Sequence, residues 1–366
     1  MQSRGRVPVV LVAFGNNRYC GPVVPVSFSV MGIISNANQG PEMRHIDPQS
    51  VPTGEVHRYL LSCIAPRPIA FVGTTDGAGQ VNLSPFSFFN AFGANPPTVA
   101  FSPAFRGTDG SAKHTFENVL ATEEFTVSIV SYGMVEQMNL ASADWPRDVD
   151  EFDAAGFTRA PSQLITPPGV AESPMFMECT LKQHFPLGDG PASGNLLVGE
   201  VRMFHIKESV FDGQYPSIDR LDLVARMGGP FYCRASGDAI FSLAKPVGLG
   251  IGYNRLPESI RSSTILSANN IAQLATHREI PSADQANDFL ERTRLASDGR
   301  VVDDLDAELR GSDLDRLLAA WSVVRSREGV SPQTTRFSEQ VASRLLDARR
   351  VEDAWFVLSA HLPSEP

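Results

Sequence analysis

The feature that most limits what this chain can become is a change of hydrophobic period partway along it. Between Arg67 and Ile206, apolar residues alternate with polar ones or gather in short β-branched and aromatic runs, cut by glycine and proline. Beyond about residue 250 the spacing lengthens. Leu314, Leu317, Leu318, Trp321 and Val324 recur on one helical face, and Val341, Leu345, Trp355 and Leu358 repeat the pattern. A period of two points to strands and a period near 3.6 to helices, so the first segment reads as mainly β and the second as helical.

The first segment resolves into strands. Ile69–Thr75, Gln80–Ser84, Thr98–Ser102, Phe125–Val130, Met175–Phe185 and Asn195–Ile206 read as strands. Asp76–Gly79 (DGAG) supplies a turn that makes the first two a hairpin. Helices are expected at the stretch KHTFENVLATEE, beginning at Lys113, and over Gly133–Ser142. Many short strands with a few helices between them point to an antiparallel barrel with helical decorations. We therefore divide the chain into a leader over residues 1–42, a β domain over 43–245 and an α-helical extension over 246–366. The leader combines VPVVLVAFG with two upstream arginines, and we expect it to be poorly ordered.

Composition then removes function classes. A net charge of -10 disfavours nucleic acid or an anionic membrane as the main partner. No apolar run reaches the roughly 18 residues of a membrane helix. Cys20, Cys63, Cys179 and Cys233 are scattered without CxxC spacing, so reduced, mostly buried thiols in a cytoplasmic protein are expected, and no metal site. There is no phosphate-binding P-loop, nucleophile elbow or HExxH. The glycines of Gly248–Tyr253 (GLGIGY) lack a surrounding βαβ unit and read as loop. The acidic run Asp148, Asp150, Glu151 and Asp153 reads as a solvated loop closing over the barrel. Asp303–Asp315 reads as an exposed helix face or linker.

What stays unexplained is a polar constellation inside apolar β-structure. Arg67 precedes the first strand. Asn82, Ser84 and Ser87 surround Leu83, Pro85 and Phe86, and Lys113, Thr115 and Asn118 open a helix. A helix start offers free N–H groups and partial positive charge, which suit a phosphate, and Lys113 adds a full charge. Thr115 with Asn118 reads equally as an N-cap and its capping-box partner. A strand kinked at Pro85 would free backbone N–H groups for the edges of a flat ring.

Four successive blocks carry a family resemblance: RPIAFVGTTDGAGQVNLSPFSFFNAFGANPPTVAFS, KHTFENVLATEEFTVSIV, MNLASADWPRDVDEFDAAGFT and ARMGGPFYCR. From Val56 to Arg234 the chain resembles the flavin reductase-like family, FMN-binding split-barrel flavoproteins of the nitrilotriacetate-monooxygenase reductase-component type. The resemblance implies an antiparallel Greek-key split β-barrel, mainly β with helices, that binds FMN. It nominates Arg67, Thr74, Asn82, Leu83, Ser84, Pro85, Ser87, Phe88 and Ser102 for the ring and ribityl chain. Lys113, Thr115 and Asn118 fall at the phosphate block, where His114 replaces an acidic residue. Arg226, Gly228, Gly229 and Tyr232 match a segment lying near the flavin, often across a dimer interface. The glycines read equally as a tight turn, and Tyr232 as a core aromatic.

The implied function is hydride transfer from NAD(P)H to FMN, the reduced flavin serving an acceptor or a partner oxygenase, in a cytoplasmic homodimer. Hydride passes directly to the ring, so no catalytic acid or base is nominated. A second reading keeps the same barrel as a non-catalytic binder of FMN or another phosphate ligand, its helical tail making the partner contacts. A third, a relative of pyridoxamine-phosphate oxidase, lacks support in the motifs.

Overall fold

A computed structural model describes residues 43–243, 245–246, 248–297, 302 and 304–361. The expected leader over 1–42 lies outside the described residues. The chain divides into two compact units, Met1–Ala239 and Ile240–Pro366.

In the first unit, α1 (Thr53–Cys63) precedes β1 (Ala70–Thr75), β2 (Val81–Phe86), β3 (Phe89–Ala94) and β4 (Pro97–Phe101). Then come α2 (His114–Thr122), β5 (Glu124–Ile129), α3 (Val135–Ala141) and α4 (Glu151–Ala155). A two-residue pair follows, β6 (Arg159–Ala160) and β7 (Gly169–Val170), before the long strands β8 (Met175–Pro186) and β9 (Asn195–Ile206). After them stand the short pair β10 (Phe211–Asp212) and β11 (Tyr215–Pro216), then α5 (Ile218–Leu221) and a hairpin of β12 (Val224–Arg226) and β13 (Tyr232–Arg234). Seven strands form one antiparallel sheet in the order β2-β1-β5-β8-β9-β4-β3.

The sheet curls into a barrel for a reason visible in that order. Its two edge strands, β2 and β3, are consecutive in the chain, so the short link at Ser87 and Phe88 draws the ends of the sheet together. Phe101 of β4 packs on Phe86 of β2 and on Phe125 of β5, each with ring centroids 5.3 Å apart, and so fills the interior across the closure. Ala70, Val72, Val127, Cys179 and Leu197 share that interior, with Phe116 and Val119 added by α2. The other face of β1 turns Ile69 and Phe71 toward Leu83, Met134, Met138 and Phe152, which belong to β2 and the α3–α4 region. Strand β1 is therefore buried on both faces, which explains its unbroken apolar and small-residue run. Gly199 sits where a Cβ would come 2.3 Å from the Phe125 ring; the strand needs glycine there for the aromatic to seat.

In the second unit, α6 (Glu258–Arg261), α7 (Ala268–Ala275), α8 (Ala283–Ala296), α9 (Leu305–Arg310), α10 (Leu314–Glu328), α11 (Pro332–Asp347) and α12 (Val351–Ser359) share one core. The expected helical face of Leu317, Leu318, Trp321 and Val324 is buried there, with Trp321 and Trp355 fully enclosed. Both indoles are satisfied, Trp321 Nε1 donating to Ser338 Oγ at 2.8 Å and Trp355 Nε1 to Leu274 O at 3.2 Å. No helix among the described residues is long and apolar enough to cross a membrane.

Candidate functional site

The hairpin and the start of α2 converge through their side chains. Asn82 Nδ2 donates to Thr115 Oγ1 at 2.9 Å and to Thr74 Oγ1 at 3.4 Å. Asn118 Nδ2 donates to the same Thr74 hydroxyl at 3.1 Å. All four residues are buried. Residues of three separate elements thus form one polar network that fixes α2 against β1 and β2. This separates the two readings of Thr115. The N-cap position belongs to Lys113, in extended conformation and without a side-chain cap, while the Thr115 hydroxyl is committed to Asn82. The Phe116 and Glu117 N–H groups bond the Lys113 carbonyl at 3.0 and 3.2 Å, which leaves those of His114 and Thr115 without an acceptor among the described residues and suited to an incoming anion.

Positive charge gathers at the same helix start. Arg106 and Lys113 share the carboxylate of Asp144, at 3.2 and 3.6 Å, and their hydrogen bonds and charge hold that acid below the ordinary carboxylate range. Arg147 pairs with Glu117 and reaches Asn118 Oδ1 at 3.5 Å. His114, half-buried, is held below its ordinary value by burial first and then by the charges of Arg147 and Arg106. Sequence reasoning found Lys113 but missed Arg106 and Arg147. They lie outside the quoted helix-start block and converge only in the fold.

At the far end of β2 a second cluster forms. Pro85, Ser87, Arg226 and Tyr232, all nominated, line a cavity of about 210 Å³ together with Ile69, Phe86, Met138 and the unpredicted Asn139 and Ser142 of the α3 end. The Arg226 guanidinium stacks 4.5 Å from the Tyr232 ring centroid. From Asn82 to Ser87 an extended strand spans about 16 Å, so β2 joins the anion end to this cavity.

The strand does this without the expected kink. Phe71 pairs with Pro85 and Ala70 with Phe86, so the ladder runs straight through the proline. Leu83 turns its N–H away from β1, to Glu151 Oε2 at 2.9 Å, and Pro85 has the same orientation two residues on. Proline therefore falls where its missing N–H costs no ladder bond. Glu151 corrects the solvated-loop reading of the acidic run. It is buried beneath β2, and burial pushes its carboxyl up. Its neighbours Asp150 and Asp153 pair with Arg159. Among the described residues no cluster of His, Cys, Asp or Glu could hold a metal.

Other nominated residues take different places. Arg67 is buried, its Nη1 donating at 2.7 Å to the carbonyls of Leu61 and Ile64, its Nη2 to Met227 at 3.0 Å and its Nε to Ser87 Oγ at 3.4 Å. It clasps the end of α1 to the segment after β12, and its desolvation lowers its proton affinity. Gly228 lies where a Cβ would come 2.9 Å from Ser62 Oγ, so it serves the contact with α1. Leu83 is core, and Ser84 pairs across from Val72. Phe88 faces His57 edge-on at 6.3 Å in a separate cavity of about 520 Å³, and the Ser102 N–H bonds the Phe88 carbonyl at 2.9 Å. The thiols are free but not mostly buried, since Cys63 is exposed and Cys179 alone of the described three is enclosed.

The split barrel carries a helix start flanked by Lys113, Arg106 and Arg147 at one end of an edge strand and an aromatic, arginine-bearing cavity at the other, and its fold class is that of the flavin reductases. Residues 61–219 match the flavin reductase like domain. An uncharacterized protein of Deinococcus radiodurans is 38% identical over 193 residues, covering 50% of this chain and 82% of that protein. One of Halalkalibacterium halodurans is 34% identical over 212 residues, covering 57% and 99%. Among solved structures, nitrilotriacetate monooxygenase component B from Bacillus cereus superimposes with TM-score 0.52 at 32% identity, over 56% of this chain and 100% of that one. The chain belongs to the flavin reductase-like family, and its chemistry is that of a flavin oxidoreductase.

Proposed function

We propose that the protein binds FMN along β2 and reduces it with NADH or NADPH, passing the electrons to an acceptor or a partner oxygenase. The observation that carries this reading is the buried Thr74–Asn82–Thr115–Asn118 network, which presents an uncapped helix start flanked by Lys113, Arg106 and Arg147. That donor set suits a phosphate dianion. The opposite end offers a mostly polar pocket with a hydroxyl, an amide and a guanidinium from Ser87, Asn139 and Arg226, which suits the polar edge of a flat ring.

Bound there, the flavin supplies the hydride-accepting ring. The protein's own residues would hold it, with Ile69, Phe86 and Met138 as apolar lining that would exclude water. No side chain is assigned a proton in this step. A homodimer is part of the proposal. It is supported by exposed Tyr59, Leu60 and Ile64 at α1 and by Phe92 on the open strand β3. We assign the protein to the cytoplasm, on its free thiols.

The test is spectroscopic. Full-length protein with FMN, held anaerobically, should bleach its visible flavin band when NADH or NADPH is added. A stable yellow complex would instead support the binding-protein reading. No FMN complex at all would refute both.

A further inference from the structure

A cavity of about 490 Å³ adjoins the ring pocket and shares Asn139, Arg226 and Tyr232 with it. Its walls are the start of α3 and the β12–β13 hairpin. Two arginines stack on two tyrosines in its lining: Arg226 over Tyr232 at 4.5 Å and Arg234 over Tyr132 at 4.0 Å. Tyr132 is still 51% exposed, so the ring face not covered by Arg234 is open. A ring that is half in water, with an arginine behind it, is a stacking platform whose π-face already carries a cation.

The charges are unequally spent. Arg234 is committed to Asp222 through two hydrogen bonds of 2.7 and 2.9 Å. Arg226 has no carboxylate in ion-pair contact among the described residues, and it lies near enough to Arg67 for the two charges to repel. Arg67 itself is occupied by carbonyls, which neutralise no charge. Glu136 is the one carboxylate in the lining, and no ion pair joins it to Arg226 among the described residues. The Arg226 guanidinium thus stands without a carboxylate partner among the described residues, beside two aromatic platforms.

We infer that this cavity binds a planar monoanion of the aromatic carboxylate class, its ring against Tyr132 and Tyr232 and its carboxylate on Arg226. One uncompensated guanidinium matches one carboxylate in charge and in fork geometry. It does not match the several negative charges of a dinucleotide pyrophosphate. The inference rests on the flavin reading only for what the ligand would lie beside; the cavity's own residues determine what binds.

The test is isothermal titration of the full-length protein, with and without FMN, using benzoate, the neutral isostere benzamide, and ADP. Benzoate is expected to bind at least about tenfold tighter than benzamide, the scale of one charge-assisted hydrogen-bonded contact. Tyr132→Leu should weaken benzoate without changing FMN affinity. Arg226→Gln should erase the preference of benzoate over benzamide. Equal binding of the two, absence of benzoate binding in both forms, or ADP binding tighter than benzoate would each overturn the inference. Benzoate binding to protein that takes no FMN would refute the flavin reading and support this one.

Discussion

Lys113→Ala tests the phosphate end of the site most directly. The ammonium stands at the N-cap of α2, its side chain 37% exposed, and shares Asp144 with Arg106. A buried charge-assisted hydrogen bond is worth about 1.5–3 kcal/mol, but partial exposure and the competing carboxylate reduce it, so we expect a loss of about 1–2 kcal/mol. That corresponds to roughly 5- to 30-fold in Kd for FMN. The assay is paired titration of FMN and riboflavin, which share the ring and ribityl chain and differ in the phosphate. FMN should weaken on substitution and riboflavin should not. Added salt should shrink the difference between wild type and variant, since the contact is partly open to solvent. An unchanged FMN affinity would remove Lys113 from the site. Equal weakening of both ligands would mean that the substitution disturbs α2 rather than a phosphate contact, and the reasoning about the helix start would be wrong.

Asn82→Leu should strand the buried Thr115 hydroxyl and leave Thr74 only its bond from Asn118, costing about 1–3 kcal/mol of stability in urea denaturation and weakening FMN and riboflavin alike; a neutral effect would show that the network is dispensable. Glu151→Gln keeps an acceptor for the Leu83 N–H but removes a charge that burial penalises. The folded carboxyl is raised, so wild type binds more protons folded than unfolded between its ordinary and raised values and loses stability as pH rises through that window. The variant should therefore gain on wild type from mildly acidic to neutral pH, and a constant difference would contradict the assignment. In the helical unit, His361 is lowered from 6.5 to about 4 by burial, with Arg325 adding to the shift. That unit should lose stability as pH falls from 6.5 toward 4, followed by circular dichroism in the helical region, and His361→Gln should flatten the dependence. Arg67→Lys should cost at least about 2 kcal/mol in thermal unfolding, because one ammonium cannot reproduce a planar fork bonded to three carbonyls.

Much of the fold was legible because it rests on local pattern. The strand limits at Asn195–Ile206, the Asp76–Gly79 turn with Gly79 at φ +84° and the helix at His114 all follow from side-chain period and turn chemistry. Strand β3 was not, because Phe-Asn-Ala-Phe-Gly-Ala carries no clean alternation and is almost wholly exposed; its partner β4 makes it a strand. Helix α1 escaped for a similar reason, having no buried residue. Among the nominated site residues, Arg67 and Gly228 also make the contact between α1 and the β12 segment, a role that depends on where α1 ends in space and so was not legible in the sequence.

By itself, then, the order of residues determined the barrel and the appended helices, and it nominated Thr74, Asn82, Lys113, Thr115, Asn118, Ser87, Arg226 and Tyr232 as one polar set. Period, turn residues and block order are properties of neighbours along the chain. The tertiary structure alone decided that Arg106 and Arg147 join Lys113, that Asn139 joins Arg226 and Tyr232, and that Glu151 lies buried under Leu83. Each of these depends on side chains from separate elements meeting at a few ångströms, and hydrogen-bond and Coulomb energies at such range are set by distance and burial, which a linear sequence does not contain.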